Sequence, residues 1–142
     1  MKSLVTVAAS IASAFAQTAW IGIPAAGSNL TAGSPLNVTV SQSPPMLGFN
    51  QVALVIAMQQ CPASGCSGYN PYYNGLGVVL YQGPFTPTVN PEAPWLTYHE
   101  NFAVQVPASY SGAALLEISQ FELVGNQSVP YWGIQNVTVN VV

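Results

Sequence analysis

The sequence predicts an all-β fold, an immunoglobulin-like β-sandwich of about seven strands. Three observations in the 142-residue chain predict it. Apolar residues alternate with period two instead of recurring at helical spacing, Pro and Gly interrupt the chain every few residues, and seven short candidate strands fit into one domain's length. No helical stretch is expected.

The candidate strands, in order, cover roughly 18–23, 36–42, 52–58, 77–82, 100–106, 113–124 and 134–142, each bounded by turn-rich sequence. The strand near 102 should turn Phe102, Val104 and Val106 inward while Ala103 and Gln105 face out. The last strand should bury Val137, Val139 and Val141 and turn Asn136, Thr138 and Asn140 to solvent. Along 113–124 the apolar parity changes, Leu116 and Ile118 being even and Phe121 and Leu123 odd. A β-bulge near Ser119-Gln120, or a break into two strands, is therefore expected there.

Residues 1–16 read as a secretory signal, with Lys2 as the charged start, an apolar run from Leu4 to Ala14 and the small-residue site Ala14-Phe15-Ala16. The remainder, 17–142, is expected to form a single β-sandwich domain, secreted and without membrane insertion. Lys2 is the sole basic residue, and the body carries Glu92, Glu100, Glu117 and Glu122 as its acidic groups. Nothing in such a body can neutralise phosphates, so nucleic acid is a poor partner. Trypsin should find no site there.

A surface so poor in charge must be wetted by amides, hydroxyls and sugar. Four Asn-x-Ser/Thr sites, at Asn29, Asn37, Asn126 and Asn136, are candidate N-glycosylation positions in a secreted chain. Cys61 and Cys66 are the only cysteines and are expected to pair with each other. So small a ring shapes a loop more than it holds a fold. From Gln59 to Gly75 the sequence is rich in Ser, Gly, Asn, Pro and Tyr, a composition that binding loops use. Tyr69, Tyr72 and Tyr73 are thus candidate partner-binding residues, with tucking against the sandwich as the competing role. Trp95, Tyr131 and Trp132 are candidates from two further aromatic segments. For each Trp, burial at the sandwich edge is the favoured expectation.

Catalysis is disfavoured by shortage. His99 is the sole imidazole, no G-x-S-x-G elbow exists, and a nucleophilic triad needs both a base and an orienting acid. Glu117 and Glu122 are the nearest carboxyl pair, but both are expected on an outer strand face as solubilising charges. A metal centre would need three or four clustered ligands, which one His and two bonded cysteines do not supply. No cofactor is expected.

The succession Ile21-x-x-Pro24, Leu30-Thr-Ala-Gly33 leading to Val38-Thr-Val40, Gln51-Val-Ala-Leu-Val-Ile56, Leu76-Gly-Val-Val-Leu-Tyr-Gln-Gly-Pro-Phe85, Asn101-Phe-Ala-Val-Gln-Val-Pro107, Gly112-Ala-Ala-Leu-Leu116, Phe121-Glu-Leu-Val-Gly125 and Asn136-Val-Thr-Val139 resembles the necrosis-inducing secreted protein family of fungal effectors. The resemblance implies a small secreted β-sandwich that suppresses plant pattern-triggered immunity by binding receptor-like kinases and associated cytoplasmic kinases, and that can induce host cell death. It implies a host protein as partner and leaves translocation into the host cell open. The first third, Ile21 to Val40, also resembles a Ser/Thr-rich fungal wall domain of β-glucan assembly, which would make the chain a carbohydrate- or matrix-binding module.

Overall fold

The computed structural model describes residues 19–44 and 49–142. The expected signal segment 1–16 lies outside the described residues. Nine strands occur in the order β1 (Trp20–Ile23), β2 (Asn29–Leu30), β3 (Pro35–Gln42), β4 (Phe49–Gln60), β5 (Val78–Gly83), β6 (Thr88–Val89), β7 (Tyr98–Gln105), β8 (Gly112–Val124) and β9 (Val129–Val141), with a one-turn helix α1 (Pro71–Asn74) between β4 and β5. They form a four-stranded sheet, β1-β3-β7-β6, and a five-stranded sheet, β2-β9-β8-β4-β5. The seven longer strands coincide with the seven predicted ones; β2 and β6 are two-residue additions. The helix α1 was not expected. Pro71 opens it and the Asn70 side chain caps the Tyr72 amide, which is how so Pro-rich a segment forms a single turn.

The alternation of the sequence becomes the core. Val38, Val40 and Phe102 from one sheet meet Leu54, Ile56, Leu116, Ile118 and Val139 from the other, all buried. Val106, Val141 and Phe85 close the ends of this layer. Burying a side chain of this size contributes about 1.5–3 kcal/mol, so these residues account for most of the drive to fold. Ala103 and Gln105 face out and Val137 is half-buried, as the alternation requires.

The register of β8 departs from expectation. Its ladder with β9 runs unbroken from Gly112 opposite Val141 to Val124 opposite Val129. The bulge lies instead on β4, where Val52 is the extra residue between Gln51 opposite Glu122 and Ala53 opposite Phe121. β8 is held on both sides by long partners and cannot slip alone. Its even positions therefore stay inward to the end, and Gln120 and Glu122 enter the sandwich while Phe121 is turned out, 38% exposed.

Candidate functional site

The β4–β5 connection is the unusual element. Its two strands are neighbours and antiparallel, a geometry that a turn of two to five residues can close. This connection instead runs from Cys61 to Gly77 and crosses the outer face of the five-stranded sheet. Near its start the Cys61–Cys66 disulfide closes a small ring, with an S–S distance of 2.06 Å. The Cys61 amide donates to the Ala113 carbonyl of β8 at 3.0 Å. Just before α1, the Tyr69 hydroxyl reaches across it to the Gly75 carbonyl at 2.7 Å and the Asn74 carbonyl at 3.1 Å, which folds the loop on itself. At the far end the Tyr72 hydroxyl accepts the Ile134 amide of β9 at 3.3 Å. The Tyr72 ring stands edge-on to Trp132, with centroids 5.3 Å apart. The connection is thus a strap across β8, reaching β9.

Among the described residues, four buried apolar ones stand outside the central cluster: Ala57, Cys61, Leu115 and Ile134. Ala57 pairs in register with Glu117 across β4 and β8, Leu115 lies two residues along β8, and Ile134 pairs with Ser119. Ala57, Leu115 and Ile134 share the outer face beneath the strap, and Cys61 begins the strap itself. Glu117 lies among them, 0% exposed, with neither carboxylate oxygen hydrogen-bonded. Burial pushes its carboxyl up to about 7. The Tyr69 phenol is raised in turn, first by its own burial and then by the Glu117 charge.

Glu122 is buried on the opposite face. Its Oε2 accepts from the amides of Gln51 at 3.0 Å, Gln120 at 3.1 Å and Gln42 at 3.5 Å, while Oε1 has no partner. Gln120 Oε1 accepts the Ala19 amide at 2.8 Å, so the chain enters the sandwich at this polar end of the core. Burial raises the Glu122 carboxyl, and the Gln51 and Gln42 amides partly offset that rise. The expectation of two solvated outer-face carboxylates is therefore corrected: Glu117 keeps the outer face but is not solvated, and Glu122 is neither outward nor solvated. The strap covers one, and the unbroken β8 register carries the other inward to three amide donors.

Of the aromatic candidates, the structure unites Tyr72 and Trp132, with Tyr73 87% exposed beside them on α1. Phe121, which composition did not single out, is the cross-strand neighbour of Trp132 and joins the patch. Trp132 is fixed by its indole N–H, which donates to Ser119 Oγ at 2.6 Å. Tyr69 is tied into the strap. Tyr131 lies opposite Glu122 on the inward side of β9, half-buried. Trp95 lies in a 3-10 turn, Pro94–Leu96, that leads into β7 of the other sheet. The expected burial of tryptophan is overturned: Trp20, Trp95 and Trp132 are 38%, 75% and 52% exposed, because aliphatic residues with Phe85 and Phe102 fill the core.

A concavity of about 490 Å³ opens along β6 and β7, lined by Thr88, Asn90, His99 and Glu100 among others. Its Glu100 carboxylate is already engaged, accepting the Thr86 amide at 2.6 Å, and His99 Nδ1 meets the Thr97 carbonyl at 3.0 Å. Among the described residues no group of three or more His, Cys, Asp or Glu could hold a metal ion. The sequon residues Asn29, Asn37, Asn126 and Asn136 are all exposed. No helix among the described residues is long and apolar enough to cross a membrane.

The sequence model of the Nis1 family matches residues 14–140, nearly the whole chain. No curated protein gives a significant match. Among solved structures, the cellulose-active LPMO CelS2 in complex with copper is similar at 16% identity and TM-score 0.50, over 80% of this chain and 52% of that one. A superoxide reductase (neelaredoxin) variant from Ignicoccus hospitalis is similar at 15% identity and TM-score 0.48, over 87% of this chain and 81% of that one. A chitin binding domain from Burkholderia pseudomallei is similar at 12% identity and TM-score 0.46, over 82% and 57%. At 16% identity the likeness to CelS2 is one of fold alone.

Proposed function

Since the chain belongs to the Nis1 family, matched over residues 14–140, we propose that it is a secreted effector that acts by binding a host protein. In the form that the sequence resemblance implies, that partner is a plant receptor-like kinase or an associated cytoplasmic kinase, and the outcome is suppressed pattern-triggered immunity. The observation that carries the binding reading is the aromatic patch of Tyr72, Tyr73, Phe121 and Trp132 on the outer face of the five-stranded sheet. Large aromatic area, oriented by side-chain hydrogen bonds and left in solvent, is what hot spots of protein interfaces are made of. The disulfide and the exposed sequons suit a chain that is secreted and glycosylated.

A wall-polysaccharide module is the second reading. Its support is the solvent exposure of Trp132 and Trp95, since an open indole face can stack on a sugar ring.

The test compares the secreted chain with Tyr72→Ser/Trp132→Ser and with Trp95→Ser in plant leaves challenged with a microbial pattern. The parent and Trp95→Ser should suppress the oxidative burst, and the double variant should lose suppression while remaining folded. A folded parent that leaves the burst intact and sediments with insoluble wall glucan would establish the second reading instead.

A further inference from the structure

The strap does more than present Tyr72 and Tyr73. It seals Glu117 against the outer face of β8, between Ala57 of β4 and Asn136 of β9, with both carboxylate oxygens unpartnered. A sealed neutral acid loses its hydrogen bonds to water, but a sealed carboxylate loses its whole ionic hydration, a far larger penalty. We propose that the strap is a proton-operated latch: it lies closed over a protonated Glu117, and ionisation of that carboxyl lifts it from the sheet.

Three features of the geometry support this device. The strap is not needed to join β4 to β5, which are adjacent, so it can lift without unpairing them. Apart from the small apolar surface of Ala57, Leu115 and Ile134 that it covers, its fastenings to β8 and β9 are few: the Cys61 amide on Ala113 at one end, and the Tyr72 hydroxyl and ring on Ile134 and Trp132 at the other. A segment held by so few bonds belongs to the low-stability end of a fold. Finally, the described residues hold no Lys or Arg to neutralise Glu117. The titratable side chain that feels its charge is Tyr69 on the strap, with Tyr110 of the β7–β8 turn near Tyr69 and its hydroxyl committed to the Met58 carbonyl at 3.0 Å, while Tyr72 and Tyr73 of the strap belong to the aromatic patch. The sole imidazole, His99, belongs to the other sheet.

The direction follows from proton linkage. With the strap closed the Glu117 carboxyl sits at about 7 against an ordinary value of 4.5, so the closed form holds its proton through the interval where the open form has lost it. Opening is least favourable in acid and becomes easier as pH rises through that interval, levelling off above it. Between pH 6 and pH 8 the opening constant should rise about tenfold. Because Tyr72 is carried by the strap and Trp132 by the sheet, opening also takes the aromatic patch apart. That consequence rests on the binding reading above, but the latch itself does not.

Hydrogen exchange of strap amides 66–76 in the free, intact protein tests it, with rates corrected for the intrinsic effect of pH. The parent should open about tenfold more at pH 8 than at pH 6, and Glu117→Gln should show no such rise, with β8 core amides protected equally in both. A parent whose strap protection is constant with pH overturns the latch, as does a rise that persists in Glu117→Gln. No partner is present in this measurement, so a failure of the effector assay leaves its result intact.

Discussion

Two glutamates, five residues apart, show how much a single side chain's fate depends on register and cover. Glu122 points inward and is met by three glutamine amides; Glu117 points outward and is met by none. The outward face of Glu117 was legible from the sequence, but its cover was not, and neither was the inward face of Glu122. Phe121 and Leu123 imitate the inward half of an alternating strand, and a reader who sends them inward must send Glu122 out. What settles it is Gln51, Gln120 and Gln42, contributed by β4, β8 and β3, whose amides only the assembled sandwich brings together. Removing the acceptor strands these donors. Glu122→Ala should therefore lower stability by about 3 kcal/mol, measured as a fall in the urea midpoint at constant slope. A loss below the uncertainty of the midpoint would mean that water replaces the carboxylate without penalty.

At the scale of elements, the strands were legible because period-two alternation and Gly/Pro punctuation are local properties, and Val38, Phe102 and Val139 needed no knowledge of their partners. The strap was legible only as composition. A run rich in Ser, Gly, Asn and Tyr announces a loop, but its landing place is fixed by Ile134 and Trp132, far along the chain. The bulge was misplaced for a related reason: parity within β8 cannot reveal that the extra residue, Val52, belongs to the strand beside it. The join between strap and β5 depends on Gly77. Its φ is +75°, and a Cβ there would lie 2.8 Å from Gln59 Cα and collide with the Met58 carbonyl oxygen. Gly77→Ala should accordingly cost about 2 kcal/mol or more and speed exchange of amides 66–76 before those of β8. Uniform loosening of the whole sheet would show that Gly77 anchors β5 and not the strap.

For the molecule as a whole, the buried carboxylates invert a familiar profile. Glu117 has its carboxyl raised from 4.5 to about 7, and Glu122 is raised as well. A group raised in the folded state is held protonated there while the unfolded chain releases its proton, so stability is highest in acid and declines as pH climbs. Urea unfolding should show the chain more stable at pH 5 than at pH 8 by about 2–3 kcal/mol, with Glu117→Gln flattening most of that slope. A maximum at neutral pH would contradict it. Overall architecture was the part most fully written in the sequence, because a sandwich is the sum of its alternating strands; how the two sheets cap their rims was not. One rim carries a separate burden. β2 meets β9 only at Asn140 and Val141, so most of β9 is a border strand with its backbone turned outward. Proteins commonly defend such borders with lysine, and this body has none. The Tyr72 hydroxyl occupies the Ile134 amide and the Gly27 amide occupies the Thr138 carbonyl, while Asn136 offers a site for a bulky sugar between them. Side chain and turn together stand in for the missing cations as the guard against fibril-like stacking of one molecule onto the next, and the exposed sequon at Asn136 is where a glycan would add to it.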